Sequence, residues 1–349
     1  MSLLLTILST VIIFGIVIFI HEFGHFLCAK LCHVQVNEFA LGMGPKIFSF
    51  TKGETKYSLR LLPIGGYCQM EGEDGESENP RAFPNRPIWQ RILIVSAGAL
   101  MNLILGFLVV CLTICLYSRA ISSTKIAQFS ENARTQQTGL QVDDTILKIN
   151  NRRIHIDSDI VFELQRDDDL IVDMEVLRGG QKVTLHGVTF DYTVKHDEKT
   201  DTDYKSFVVD FKVYGIQKSF FSVLRQSFYE SIVIGKSIWV SLVDLVRNFQ
   251  LNKISGFVGV GEVIGEAAGM GFDYLLNILA FITINLGIFN LLPIPALDGG
   301  RLLFLLIQLI IRRPIPAKYE GMIHAIGFIA LILLMIIVTF KDLWMLIVR

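Results

Sequence analysis

The sequence predicts a polytopic α-helical membrane protein with about four transmembrane helices, a membrane-associated β-hairpin and one inserted extracytoplasmic β-rich domain. Three observations carry this prediction. The 349 residues are 52% apolar and 19% charged, with a mean hydropathy of +0.50, whereas soluble domains run to about 45–50% apolar and 25% charged. Four runs are long and apolar enough to cross a bilayer, which takes about 20 residues. Between the second and third runs the chain becomes charged, alternating and rich in turns. The formal net charge of −1 supplies no field for nucleic acid or any other polyanion. Five cysteines are too few for a disulfide framework in a chain of this length.

The first run, residues 1–20, holds no charge, and its apolar character resumes after residues 21–25 as far as Ala29. It lacks a basic leading region and a small-residue cleavage site, so it reads as a retained span and not a signal peptide. Residues 46–62 alternate on either side of Lys52-Gly53-Glu54, which makes them a hairpin, and their place between two spans predicts a free edge at the membrane. Pro63, Gly65 and Gly66 end its second strand. Acidic residues and three prolines make 71–87 a solvated loop. Residues 92–118 form the second span.

Residues 119–216 read as one small β-rich domain, with strands at 145–149, 170–177, 182–185 and 207–213. Asn150-Asn151 and Gly179-Gly180 are its turns, and 191–205 is a polar surface loop. Residues 217–273 are only partly apolar. Arg225, Glu230, Lys236 and Asp244 interrupt 220–249, and each would cost on the order of 2.5–3.5 kcal/mol at mid-bilayer. An amphipathic interfacial segment is expected there. The third span is 274–297 and the fourth 322–340, whose one ionisable residue is His324. The domains are therefore 1–118, an N-terminal membrane core; 119–216; 217–273; and 274–349, a C-terminal membrane core. Basic residues crowd 30–91 and recur at Arg301, Arg312, Arg313 and Lys318. Both connections are expected in the cytoplasm, with the N-terminus, 119–273 and the C-terminus on the far side.

The chemistry is carried by His21-Glu22-Phe23-Gly24-His25. Histidines at i and i+4 share a helix face and can reach one ion, for which zinc is the natural occupant, and the adjacent glutamate is placed to take a proton from water. Ionisable groups directly after an uncharged span are expensive there and point to function. A tetrahedral ion needs further ligands. The other acid at membrane depth is Asp298, which follows Pro293-Ile294-Pro295-Ala296-Leu297. The prolines must break the helix, and broken backbone at that depth belongs inside protein or beside a wet cavity. Three protein ligands and an open position make a catalytic site and not a closed structural one. Cys28 and Cys32 continue the same helix face and could ligate metal in principle, although small apolar packing is the expected role. Asn102 is expected to bond between helices. His33, His155, His186, His196 and His324 have no matching partners and are read as surface or interface residues.

Two resemblances add to this. Residues 138–150 resemble the signature of a PDZ domain, with Asp143 where that family usually has glycine. Such domains bind peptides by adding a strand to a sheet edge. With the His21–His25 motif, Gly42-Met43-Gly44-Pro45, Pro63-Ile64-Gly65-Gly66-Tyr67 and residues 290–300, the whole chain resembles the bacterial site-2 protease family, in its regulator of sigma-E protease branch with one PDZ domain. That resemblance implies a zinc-dependent intramembrane endopeptidase of regulated intramembrane proteolysis in a bacterial inner membrane. It would act on single-span membrane proteins such as anti-sigma factors or remnant signal peptides, with its active site toward the cytoplasm. It makes His21, His25 and Asp298 the zinc ligands and Glu22 the general base. It puts Asn290, Gly42, Gly44, Ser58, Leu59, Arg60, Pro293 and Pro295 at the substrate, with the PDZ domain as an outer size filter. The chain departs from the pattern at Phe257 and Ala99, where proline is common. The competing reading is a membrane zinc transporter or metal sensor with a peptide-binding domain, which would have no use for Glu22 as a base.

Overall fold

A computed structural model describes residues 3–73, 75, 77–167, 169–197, 202–248, 256–313 and 315–348. The chain forms two compact units, Met1–Val109 with Lys253–Arg349, and Val110–Asn252. The segment 217–273, expected to act as one interfacial piece, is divided between them.

The first unit holds the apolar helices. Four helices are long and apolar enough to span a membrane: α1 (Leu3–Leu31), α2 (Ile88–Tyr117), α7 (Phe272–Leu291) and the stretch Lys318–Asp342 of α9 (Ala317–Val348). They fall on the four expected runs, except that the third, expected over 274–297, ends as a helix at Leu291, where Pro293 and Pro295 follow. On α1 the buried positions are Ser9, Ile13, Val17, Gly24, His25 and Ala29, a stripe at near-fourfold spacing that faces protein. Its exposed positions include Leu4, Leu8, Ile12 and Phe19, as lipid requires.

Two further helices belong to this unit. α6 (Phe257–Met270) packs on α1, where a Cβ on Gly265 would meet Thr6 at 2.6 Å. Asp342 of α9 caps α6 by accepting hydrogen bonds from the Gly256 and Gly259 amides at 2.8 and 3.2 Å. Phe257 meets Phe14 of α1 with ring centroids 5.6 Å apart, so the missing proline is replaced by an aromatic contact. Residues 257–270 are thus packed in a helical bundle, and the small stripe of glycines is what permits it. α8 (Asp298–Ile311) starts where the proline-broken segment ends.

The hairpin is longer than 46–62. β1 (Val36–Lys52) pairs with β2 (Thr55–Met70). Residues 38–41 have partners in both the 56–59 and the 66–69 stretches of β2, so the ribbon doubles back on itself. Left-handed backbone at Gly42, Gly44 and Gly65 (φ 86, 85 and 80°) makes the bends, which glycine adopts without a Cβ penalty. The edge that results is formed by residues 66–70, beyond the expected hairpin. The side chains of Pro63 and Ile64, and residues Asp74, Glu76 and Ser255, lie outside the described set.

In the second unit a sheet of order β10-β3-β4-β6-β7 carries β5 on β4. Its strands are β3 (Ile121–Phe129), β4 (Thr145–Ile149), β5 (Arg152–Arg153), β6 (Ile171–Arg178), β7 (Gln181–Thr189) and β10 (Phe211–Ile216). The core is mainly aliphatic, with Ile126, Leu140, Ile146, Leu164 and Met174 fully buried beside Phe190 and Phe211. The Asn150-Asn151 and Gly179-Gly180 turns have positive φ throughout, the conformation that matches strand twist. Asp143 is left-handed too, at φ 71°, which accounts for glycine at that position in similar domains. Two expectations need correction. Residues 191–205 are not a plain loop, since β8 (Asp191–Asp197) and β9 (Thr202–Val208) pair as a separate hairpin. The single strand expected at 207–213 is split between β9 and β10. Between them, buried Asp210 accepts hydrogen bonds from the Thr135 amide and hydroxyl at 3.0 and 2.6 Å.

Two helices complete this unit, α3 (Arg134–Gln137) and α4 (Asp157–Leu164), before α5 (Phe220–Asn248) docks on α4. The charges that stop α5 from reading as a span are used in that docking. Lys236 pairs with Asp159 at 2.9 Å, and Glu230 accepts from the Ser158 hydroxyl at 2.8 Å. Burial pushes the Glu230 carboxyl up from its usual range.

Candidate metal centre

His21 and His25 lie one turn apart on α1, so both rings face the same side. α2 crosses that side at its smallest residues. A Cβ on Gly98 would stand 2.3 Å from His25 Nε2 and 2.8 Å from His21 Cε1, and one on Gly24 would stand 2.5 Å from the Ala97 carbonyl oxygen. Only glycine fits at either position. Asp298 arrives as the first residue of α8, after Pro293 and Pro295 have ended α7 and carried the chain through 292–297. That turn is tight, since a Cβ on Gly299 would stand 2.0 Å from the Leu292 carbonyl oxygen.

The three side chains converge. Asp298 Oδ2 is 3.2 Å from His21 Nε2 and 3.2 Å from His25 Nε2, and the two Nε2 atoms are 3.3 Å apart. A tetrahedral ion with bonds of about 2.0 Å sets its ligand atoms about 3.3 Å apart, so the triangle has the right size for zinc. The protons agree. His25 Nδ1 donates to the Ile94 carbonyl at 2.9 Å, which in the neutral ring leaves Nε2 with a bare lone pair aimed at Asp298. Asp298 Oδ2 is itself buried without a hydrogen-bond donor. Lone pairs brought this close repel one another unless a cation sits between them.

Asn102 of α2 supports the second ring. Its side-chain nitrogen is 3.4 Å from His21 Nδ1, and its Oδ1 is buried without a partner. In the opposite amide orientation Oδ1 accepts from Nδ1–H, which satisfies the oxygen and turns the His21 Nε2 lone pair toward Asp298. The Asn102 carbonyl accepts from the Thr283 hydroxyl of α7 at 3.2 Å, so this residue links three helices.

A cavity of about 410 Å³ opens beside the three groups, lined by Glu22, residues 66–70, Glu73 and Arg301. Glu22 packs on the strand edge, where a Cβ on Gly66 would stand 2.9 Å from its Cγ. Arg301 donates to Glu73. Of the positions assigned to substrate, Asn290 is buried in the last turn of α7, and Pro293 and Pro295 form the turn ahead of Asp298. Gly42, Gly44, Ser58, Leu59 and Arg60 do not line the metal cavity. Gly42, Leu59 and Arg60 border a separate apolar cavity of about 470 Å³ against Val11, Gly15 and Phe19. Ser58 and Arg60 are engaged with Glu38 at 2.6 and 3.1 Å, and Arg60 also donates to the Gly44 carbonyl. The strand edge beside the metal groups is 66–70, which the sequence marked only as a strand end.

The model of peptidase family M50 matches residues 9–334. The chain belongs to this site-2 protease family. A Clostridium acetobutylicum relative, provisionally named a zinc metalloprotease, is 38% identical, with 96% of each chain covered. The regulator of sigma-W protease RasP of Bacillus subtilis is 31% identical over 97% of this chain and 98% of its own. The zinc metalloprotease RasP of Bacillus licheniformis is likewise 31% identical, over 97% and 98%. This M50 peptidase is therefore a membrane metalloendopeptidase, and the expectation of that enzyme class is met. Its His21–His25–Asp298 group is the one cluster among the described residues with three ligand atoms within 4.8 Å of one another.

Proposed function

We propose that this M50 peptidase hydrolyses a peptide bond within or near the transmembrane segment of single-span membrane proteins. Anti-sigma factors and remnant signal peptides are the substrate classes in view. The observation that carries the proposal is the 3.2–3.3 Å triangle of His21, His25 and Asp298, built on apolar helices and opening on a cavity edged by a β-strand. His21, His25 and Asp298 would hold the zinc, which when bound would supply Lewis-acid chemistry to a carbonyl and to water. Glu22, next to His21 and lining the same cavity, takes a proton from the attacking water and delivers it to the leaving amine.

A transmembrane helix hides its carbonyls in its own hydrogen bonds, so it must be unwound before it can be cut. The edge formed by 66–70 can hold the unwound segment extended as an added strand. Asn290 contributes a neutral polar contact to that backbone. Basic residues in 30–91 and after Asp298 support an active site toward the cytoplasm in a bacterial inner membrane. Residues 119–216 are read as a PDZ domain on the far side, filtering substrates by size. The left-handed Asp143 and the edge position of β10 favour that assignment.

The test is zinc content alongside cleavage of a single-span substrate by purified full-length protein. Glu22→Gln is expected to keep zinc and lose cleavage. Turnover retained in Glu22→Gln would sink the proposed role of Glu22.

A further inference from the structure

His324 is the histidine inside the fourth apolar helix, and it reaches the turn that presents Asp298. Its Nδ1 accepts a hydrogen bond from the Ala296 amide at 3.0 Å. Ala296 is left-handed, at φ 75°, a conformation that a residue with a Cβ holds only when its surroundings fix it. It stands two residues ahead of Asp298. An acceptor at Nδ1 puts the hydrogen of the neutral ring on Nε2, which is buried without a partner. An unpaired buried polar group is unfavourable, so an apolar residue would serve better at this position if packing were its only purpose. One turn further on, a Cβ on Gly327 would stand 2.4 Å from Pro295 Cβ and 2.9 Å from the Pro295 carbonyl oxygen. Helix α9 therefore grips two consecutive residues of the turn, Pro295 through Gly327 and Ala296 through His324. Phe304 of α8 lies against the imidazole, with centroids 5.8 Å apart.

We propose that His324 is a positioning residue for the metal centre. It fixes the left-handed turn at Ala296, and through that turn the direction in which the Asp298 carboxylate meets His21 and His25. Without the acceptor, the Ala296 amide has lost its partner and the turn relaxes, carrying Asp298 off the triangle. The inference rests on the reading of those three residues as the zinc ligands, and its test separates the two.

The experiment is hydrogen–deuterium exchange of the amides at 296–298 in full-length, detergent-solubilised protein, metal-free and zinc-loaded, with zinc retention against a chelator measured alongside. The variants are His324→Leu, which removes the acceptor, and His324→Asn, whose Oδ1 falls near the place of Nδ1 and restores it. The Leu variant is expected to exchange at 296–298 about tenfold faster in the metal-free protein and to hold zinc about tenfold more weakly, the scale on which losing a supporting contact weakens metal binding. The Asn variant is expected to follow the wild type in both. A Leu variant indistinguishable from wild type in metal-free exchange overturns the proposal, as does an Asn variant that behaves like Leu while α2 and α7 stay protected. Gly327→Ala pushes on Pro295 with the ring in place, and it serves as the second probe if the Leu variant exchanges fast throughout. Its 296–298 amides should also exchange faster, and no change there would count against the grip. Wild-type protein without zinc would defeat the ligand reading, whereas the metal-free exchange ranking tests the His324 contact by itself.

Discussion

Gly98→Ala places a methyl group inside the proposed metal site. Its Cβ would lie 2.3 Å from His25 Nε2 and 2.8 Å from His21 Cε1, whereas ordinary contact begins near 3.4 Å. One ring must therefore give by about 1 Å. The His25 ring is held by the Ile94 carbonyl, and α1 and α2 already meet closely where Gly24 faces Ala97, so the alternative to moving a ring is to separate the two helices and lose that packing. Metal sites tolerate about 0.2 Å in ligand distance, so a shift five times larger removes a ligand. Zinc affinity is expected to fall about 100-fold or more, the upper end for a disturbed supporting shell, and cleavage to fall with it. The assay is zinc stoichiometry after dialysis against a graded chelator, with Gly15→Ala as the control. That glycine sits on the same helix as the histidines and has nothing within 4 Å of its added Cβ, so its zinc content should be unchanged. A Gly98→Ala protein that keeps full zinc and full activity would refute the geometry from which the site is argued.

Two further outcomes follow from the same structure. Asn102→Leu removes the partner of His21 Nδ1 and should weaken zinc binding about 10- to 100-fold while the protein remains folded, as read by chelator titration and thermal unfolding in detergent. Hydrogen bonds from Arg81 and Lys30 hold the Glu54 carboxyl down to about 2, against an ordinary value near 4.3. A carboxyl depressed on folding stabilises above its unfolded pKa and loses that effect as pH falls toward the folded value. Glu54→Gln should therefore be less stable than wild type at pH 7. The difference, below about 1 kcal/mol for so exposed a group, should close between pH 4.5 and 2. Thermal unfolding at a series of pH values checks this, and a gap that persists at pH 2 would contradict it.

Much of this architecture is legible in the sequence because membranes impose simple rules. The four spans could be read from uncharged length alone, and the helix break before Asp298 from two prolines. The His21–His25 spacing puts both rings on one face because i and i+4 coincide on a helix. What the sequence hides is set by tertiary approach. Gly98 is one small residue among several in α2, and only the packed structure puts it against the imidazoles. Residues 66–70 look like the tail of a strand, because the doubling-back at Gly42, Gly44 and Gly65 is a property of backbone conformation and leaves no periodic signal. The β8–β9 hairpin escaped for the opposite reason, since its alternation lies in polar residues. The charges on α5 keep it from reading as a span, but their partners on α4 come from 60 to 80 residues earlier and could not be read from local pattern.

Intramembrane cleavage is defined by where the substrate bond is cut. The decisive measurement is mass-spectrometric mapping of the products of a single-span substrate, with purified enzyme and substrate reconstituted together in lipid bilayers. Wild-type protein is predicted to yield new termini inside the hydrophobic segment of the substrate, with no such products from His21→Ala or Glu22→Gln. Termini confined to the substrate's soluble flanks would contradict intramembrane cleavage. Metal flux across the same bilayers in place of any cut would favour a transporter.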